Sequence, residues 1–196
     1  MKSTLLTGTS GEYLRKPLPR VLLQRLLVVI CGPRCVGKSS VALVVAGDKA
    51  RVLDDRALNQ ALVWRVRQKH WSKALLEVPA LVLDGPVFLQ QRPSAAAMVT
   101  ELLSARCRER LRTVVVESAV ADTSVELLMD AVPPELRATL TLRFPLQGGR
   151  LRYAQAVCDE LGLSRDLARA ALDIDPWCYA AVRRQLEDQR PAPSGG

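Results

Sequence analysis

Short apolar runs alternate with longer segments of helical periodicity over most of the chain. The runs are rich in Val, Ile and Leu, which is typical of strands that are buried on both faces of a parallel sheet. They predict five strands, at residues 26–31, 50–53, 80–84, 113–116 and 138–144. Between them, apolar residues recur three or four positions apart and predict helices at 40–46, from 54 onward, at 95–108 and at 123–132. This alternation predicts an α/β fold with a five-stranded parallel sheet flanked by helices.

The strand pattern stops at about residue 148. Three helical segments follow, at residues 150–161, 164–172 and 176–189. They predict a small C-terminal helical lid. We therefore expect an N-terminal arm over residues 1–25, an α/β nucleotide-binding domain over 26–147, the lid over 148–189 and a flexible tail over 190–196. The arm is polar at first and then basic, which favours a loose segment.

The first predicted strand runs into a phosphate-binding motif. The sequence after it matches G-x-x-x-x-G-K-[ST], the Walker A pattern of P-loop NTPases, and a helix-like segment follows. Such a loop binds a nucleotide polyphosphate through backbone N–H groups and through the N-terminus of its helix. The lysine reaches the β and γ phosphates and the next hydroxyl binds Mg²⁺. The residues expected to bind ATP or ADP are Gly32, Pro33, Arg34, Cys35, Val36, Gly37, Lys38, Ser39 and Ser40.

A second acidic site is expected at the end of the third predicted strand. There the sequence PALVLDG carries four apolar residues into Asp84. A carboxylate at the end of a buried parallel strand contacts Mg²⁺ in P-loop proteins. We therefore predict Ser39 and Asp84 as the Mg²⁺ ligands. The fourth predicted strand ends in Glu117, a second candidate catalytic carboxylate.

Net charge, cysteine spacing and the length of the apolar runs limit the partners and the cellular compartment that we expect. The chain has 196 residues, is 48% hydrophobic and carries a net charge of +8. The basic excess is compatible with nucleic acid, but it is more simply explained by ordinary surface arginine, so nucleic acid is not favoured as a partner. The five cysteines form no CxxC pair and no apolar run spans a membrane, which favours a cytoplasmic protein with reduced thiols.

Residues 52–103 resemble the middle of the AAA+ ATPase domain of the bacterial replication initiator DnaA. They are also similar to its short relative Hda and to helicase-loader ATPases. In that group a strand leads into a helix with an apolar stripe, and a strand with an acidic end, a loop and a long helix follow. The resemblance extends over residues 26–189, with 113–118 at the position of sensor 1 and 150–189 at the position of the lid. It implies an ATPase fold that acts through nucleotide-dependent protein interaction.

The chain departs from the family pattern at the residues of hydrolysis. The family carries two acidic residues at the end of the third strand, whereas here Gly85 follows Asp84. Sensor 1 is usually a small polar residue, and the candidates here are Glu117 and Ser118. The arginine finger and the lid arginine also lack clear matches; the nearest residues are Arg137 and Thr139 for the finger, and Arg183 and Arg184 for the lid. The resemblance therefore implies nucleotide binding with slow or absent hydrolysis.

Three functions remain open from the sequence. The first is an AAA+-like regulatory protein that binds ATP or ADP and acts on another protein or on a second copy of itself. The second is a small P-loop kinase that transfers a γ-phosphate to a metabolite. The third is a scaffold in which the phosphate loop is vestigial. Glu117 is either a displaced general base or a group that repels the γ-phosphate and favours ADP.

Overall fold

A six-stranded parallel sheet forms the centre of the fold. The computed structural model of the chain describes residues 4–15, 17–85, 92–117, 123–174 and 178–190. The strands lie in the order β1-β6-β2-β5-β4-β3, and the register of every neighbouring pair is parallel. Their bounds are β1 Thr4–Thr9, β2 Leu27–Cys31, β3 Ala50–Asp54, β4 Ala80–Asp84, β5 Arg112–Glu117 and β6 Arg137–Arg143.

Seven of the helices in the described residues follow the predicted segments, with ends that differ by a few residues. The other three were not predicted: two lie in the expected N-terminal arm and one is the short helix at residues 73–76. Within the described residues the helices are α1 Ser10–Arg15, α2 Arg20–Leu23, α3 Lys38–Ala46, α4 Asp55–Gln68, α5 Lys73–Leu76, α6 Pro93–Arg108, α7 Thr123–Asp130, α8 Gln147–Leu161, α9 Leu167–Ala170 and α10 Tyr179–Glu187. The side chain of Asp54 caps α4 by accepting a hydrogen bond from the backbone N–H of Ala57 at 2.8 Å. This is the capping role that an Asp before a helical stripe predicts.

The α/β fold predicted from the sequence is confirmed, but the strand number is wrong by one. The sixth strand is β1, which lies in the segment expected to be a loose N-terminal arm. It is an edge strand that pairs only with β6, so its sequence need not be apolar on both faces. Gly8 lets α1 approach the strand closely, because a Cβ there would lie 2.7 Å from a ring carbon of Tyr13.

Burial of the central strands explains why they were predictable. All five residues of β2 are buried, as are four of the five in β4 and five of the six in β5. Helix α4 is different: Leu58 and Leu62 are buried, but Val66 of the same predicted stripe is 51% exposed. Trp64, expected in a core or an interface, is 49% exposed, whereas Trp71 is buried.

The chain divides into two compact units. One comprises residues 1–33 with 38–143, and the other comprises residues 34–37 with 144–196. Helices α8, α9 and α10 have their own apolar core, which includes Ala154, Val157, Cys158, Val182 and Leu186. The predicted boundaries of arm, domain, lid and tail stay predictions.

No helix in the described ranges is both long enough and apolar enough to cross a membrane.

Candidate functional site

The phosphate loop leaves the carboxyl end of β2 and turns sharply into α3. Three of its residues have positive φ: Gly32 at 153°, Cys35 at 59° and Gly37 at 88°. Glycine adopts such angles without a steric penalty, which explains the two glycines of the motif. Val36 is fully buried, while Pro33, Arg34 and Cys35 are exposed. Val36 and Gly32 therefore anchor the loop, while residues 33–35 face solvent.

Lys38 folds back over the loop. Its Nζ donates to the carbonyl oxygen of Gly32 at 2.8 Å and to that of Pro33 at 2.7 Å. The same residue is the first of α3, a nine-residue helix whose N-terminal N–H groups have no partner within the helix. A cation and a helix N-terminus thus converge on one loop, which is the arrangement that binds phosphate.

Ser39 and Asp84 are in direct contact. The Ser39 hydroxyl donates to Oδ1 of Asp84 at 3.1 Å, although 45 residues separate the two in the chain. Asp84 is the last residue of β4, and Ser40 follows on the exposed side of α3. A hydroxyl and a carboxylate at this distance supply oxygen ligands for Mg²⁺, which usually takes only one or two protein carboxylates and fills its remaining positions with phosphate and water. The donor set therefore fits the predicted ion.

Glu117 lies between the two halves of this site. It ends β5, the strand that separates β2 from β4. Its Cα register partner in β2 is Cys31, the last residue before the phosphate loop, and its side chain is 2% exposed. Burial, and then the charge of Glu117, raise the pKa of the Cys31 thiol to about 11, although Lys38 acts to lower it. A buried carboxylate beside the loop was a sequence candidate, but only the strand order places it there.

Gly85 follows Asp84 with a left-handed backbone. Its φ is +72°, and its N–H donates to the carbonyl oxygen of Val116 at 3.1 Å. Side chains with a Cβ rarely adopt this angle. The family's second acidic residue would therefore meet backbone strain at this position, although a Cβ there would contact nothing within 4 Å.

The candidates for an arginine finger are held elsewhere. Arg137 begins β6, at the amino-terminal edge of the sheet and thus opposite the phosphate loop, and it pairs with Asp130 at 3.1 Å. Thr139 is 5% exposed in the middle of the same strand.

The candidates for the lid arginine lie in the helical unit. There Arg183 forms ion pairs with Glu160 at 2.6 Å and with Glu187 at 2.9 Å. Arg184 is exposed on α10.

Some predicted features lie outside the described residues. They are the apolar stretch Val87-Phe88-Leu89, the sensor candidate Ser118 and the first residues of the predicted last helix, Pro176 and Trp177. The described residues hold no cluster of three or more His, Cys, Asp or Glu side chains that could hold a metal ion. A site built from one carboxylate and one hydroxyl is consistent with that finding.

Comparison with known proteins shows the fold. No protein-family model matches the chain, and no curated protein matches its sequence. Among solved structures, the replication initiator DnaA bound to AMPPCP and single-stranded DNA superposes with a TM-score of 0.68 at 12% identity, covering 86% of this chain and 58% of DnaA. Domain III of DnaA from Thermotoga maritima gives 0.69 at 10% identity, covering 84% of this chain and 75% of that one.

A third solved structure agrees with these two. AMPPCP-bound DnaA from Aquifex aeolicus gives a TM-score of 0.66 at 12% identity, covering 84% of this chain and 55% of that one. The chain thus spans little more than half the length of two of the three initiator structures.

Proposed function

We propose that this chain, which has the fold of the AAA+ ATPase domain of DnaA, is a nucleotide-binding regulator with slow or absent hydrolysis. In this proposal it binds ATP or ADP with Mg²⁺ and changes its interaction with another protein, or with a second copy of itself, according to the nucleotide. The observation that carries the proposal is the 3.1 Å contact between Ser39 of the phosphate loop and Asp84 of β4. The presence of AMPPCP in two of the similar DnaA structures supports it.

The phosphates are held by the loop and by the start of α3. Backbone N–H groups within residues 32–40, other than that of Pro33, which has none, would bind the phosphate oxygens, and Lys38 supplies the cationic group. Its two hydrogen bonds to loop carbonyls are neutral-acceptor contacts, which a phosphate replaces with a charge-assisted one. Lys38 therefore exchanges its partners when a nucleotide enters.

Ser39 and Asp84 hold the metal ion. Mg²⁺, when bound, neutralises the charge on the β and γ phosphates. The Ser39 hydroxyl must then offer its oxygen to the ion and not its proton to Asp84. The carboxylate lies at the carboxyl end of β4, where ligands of open parallel sheets bind.

Slow hydrolysis follows from the residue after Asp84. A γ-phosphate is attacked by a water molecule that a polar group must orient, and general-base assistance contributes about 10²–10⁴-fold. Gly85 supplies no such group. Glu117 is the buried carboxylate next to the loop, so it either takes over this role or repels the γ-phosphate and favours ADP.

The experiment that tests the proposal follows the fate of labelled ATP. The chain is incubated with γ-labelled ATP and Mg²⁺, and retained nucleotide, free phosphate and phosphorylated acceptors are measured. We expect retention with little release of phosphate. Transfer to an added metabolite would instead identify a kinase, and no retention would identify a scaffold with a vestigial loop.

Lys38→Ala is the first variant to test, with Lys49→Ala as a matched control. Lys49 is an exposed lysine in the turn after α3, so the control removes the same charge from outside the loop. Lys38→Ala should lose retention, and Lys49→Ala should keep it. Equal ATP affinity of the two variants by calorimetry would contradict the proposed site.

The metal ligand is tested by comparing two carboxylates. Asp84→Asn should weaken Mg²⁺-dependent nucleotide binding more than Glu117→Gln does, because Asp84 contacts Ser39. Titrations with and without EDTA separate the metal-dependent part of the affinity. The reverse order would place the ion at β5.

A further inference from the structure

An apolar groove opens between the edge strand β3 and helices α4 and α5. It has a volume of about 380 Å³ and is separate from the nucleotide site. We call it the α4 groove; it is lined by Arg51, Leu53, Ala57, Gln60, Ala61, Trp64, Ser72, Ala74 and Leu75. Its floor is aliphatic, and the 49% exposed Trp64 stands at its wall. The groove is therefore large enough for apolar side chains from another molecule.

The groove follows one face of α4. Its four α4 residues are spaced three, one and three positions apart, which places them on one stripe of the helix. Helix α4 keeps its other contacts to the core through Leu58 and Leu62, and Arg65 binds Glu101 of α6 at 3.0 Å. Of the groove stripe, Ala57 and Ala61 also pack against the core, whereas Gln60 and Trp64 are exposed.

Exposed cations, which we call the rim, lie on the strand and helices that line the groove. Arg51 lines it, Arg56 and Arg67 are adjacent to its stripe on α4, and Lys73 precedes Ala74 on α5. None of these four makes an ion pair or a hydrogen bond with another described residue, apart from the backbone bonds of their own elements. Of the two carboxylates at the start of α4, Asp54 is already bonded to the N–H of Ala57. These four cations therefore carry a positive charge that no carboxylate of the described residues neutralises by an ion pair.

We propose that the α4 groove is the docking surface for an acidic segment of a partner protein, which inserts an apolar side chain beside Trp64. Charge complementarity selects this occupant: carboxylates of the segment pair with the cations of the rim, and an aliphatic or aromatic side chain fills the groove. A second copy of this chain fits less well, since it carries the same net charge of +8. Single-stranded nucleic acid is less suited to an aliphatic floor, because bases bind on several stacked aromatic rings and the groove offers one.

The test uses defined probes and the full chain. A fluorescent synthetic peptide of glutamates around one leucine is titrated by anisotropy, beside a peptide with lysines for glutamates, an all-glutamate peptide without the leucine, and a thymidine oligonucleotide. We expect binding of the first peptide alone, weakening as salt is raised. Trp64→Ala should lower its affinity about tenfold or more.

Two variants and one control keep the outcome decisive. Arg51→Ala should lower the affinity for the acidic peptide. The control is Arg108→Ala, which removes an exposed arginine at the end of α6 and should leave that affinity unchanged. Ala74→Trp adds a ring at the exposed mouth of the groove and should block the peptide without removing any core contact. Far-ultraviolet circular dichroism verifies that each variant is folded.

Two results would overturn the proposal. One is an acidic peptide that does not bind, or that binds Trp64→Ala and Ala74→Trp as tightly as the parent chain. The other is an oligonucleotide that binds more tightly than the peptide and loses affinity in the same variants, which would make the groove a nucleic-acid surface. Nucleotide retention by the same variants is measured separately, so a failure here leaves the phosphate-loop result unaffected.

Discussion

Substitution of Arg106 should destabilise the fold more than a typical exposed substitution. Arg106 lies near the end of α6 and is fully buried. Its guanidinium donates to the carbonyl oxygens of Leu75 at 2.6 Å, Val78 at 3.0 Å and Arg112 at 2.7 Å, and to the hydroxyl of Thr113 at 3.0 Å. These hydrogen bonds therefore connect α5 and the residues that follow it to the start of β5.

The magnitude follows from two opposing terms. Burial lowers the pKa of the Arg106 guanidinium to about 10, which corresponds to a cost of about 3 kcal/mol for keeping the charged form. Each hydrogen bond from a charged donor contributes about 1.5–3 kcal/mol. The four bonds together outweigh the cost of burial, so we expect a net stabilisation of about 3 kcal/mol. Arg106→Met removes the donors and leaves buried carbonyls without partners.

Urea and thermal unfolding, followed by circular dichroism, measure this loss. For a chain of this size, about 3 kcal/mol lowers the melting temperature by roughly 6–12 °C. Arg108→Met, two residues further on the exposed side of α6, is the matched control and should change the free energy of unfolding by less than about 0.5 kcal/mol. Equal stability of the Arg106→Met chain and the parent chain would refute this reasoning and show that the burial cost cancels the hydrogen bonds.

Three further predictions concern the nucleotide site. Cys35, exposed in the phosphate loop, should be alkylated by iodoacetamide at pH 8 and be protected by ATP, while Cys31 stays unmodified because it is buried and its pKa is raised; mass spectrometry shows which cysteine reacts. Glu117→Gln should lower phosphate release if Glu117 is a base, or tighten ATP relative to ADP if it repels the γ-phosphate; a change in neither quantity would make Glu117 structural. Gly85→Asp should cost about 1–2 kcal/mol of stability at its positive φ in a denaturant titration, and a cost near zero would mean that the turn adapts.

The central strands could be predicted from sequence because burial on both faces requires continuous apolar runs. Strand β1 could not, because its sequence TLLTGT has only two apolar residues among Thr and Gly, whereas the other edge strand, β3, was predicted from its own short apolar run. Helix α4 shows the converse error. Its spacing of Leu58, Leu62 and Val66 predicts a buried stripe, but only the first two are buried and Val66 is 51% exposed.

The phosphate-binding role of residues 32–40 was predicted from a local pattern, because that chemistry needs fixed residues at fixed spacing, and it stays a prediction. The contact between Ser39 and Asp84 was expected only through the motif class, since 45 residues separate the two. The place of Glu117 depended on the order β2-β5-β4, which no local pattern encodes. The sequence also could not predict that Arg51 lacks an ion-pair partner among the described residues. A sequence shows which residues are charged, but not which carboxylates lie near them in the fold.

The slow hydrolysis that we propose depends on the backbone conformation at Gly85 as well as on the absence of a second carboxylate. At Gly85 the chain turns with φ +72° and donates its N–H to Val116 of β5, so a glycine suits the turn itself. A second carboxylate cannot be supplied there without strain, and the nearest buried carboxylate is on the neighbouring strand. Because Glu117 lies beside Cys31 at the root of the phosphate loop, its charge acts on the same electrostatic environment as Lys38. Substitution of Glu117 should therefore change the hydrolysis rate if it is a general base, or the preference between ATP and ADP if it repels the γ-phosphate.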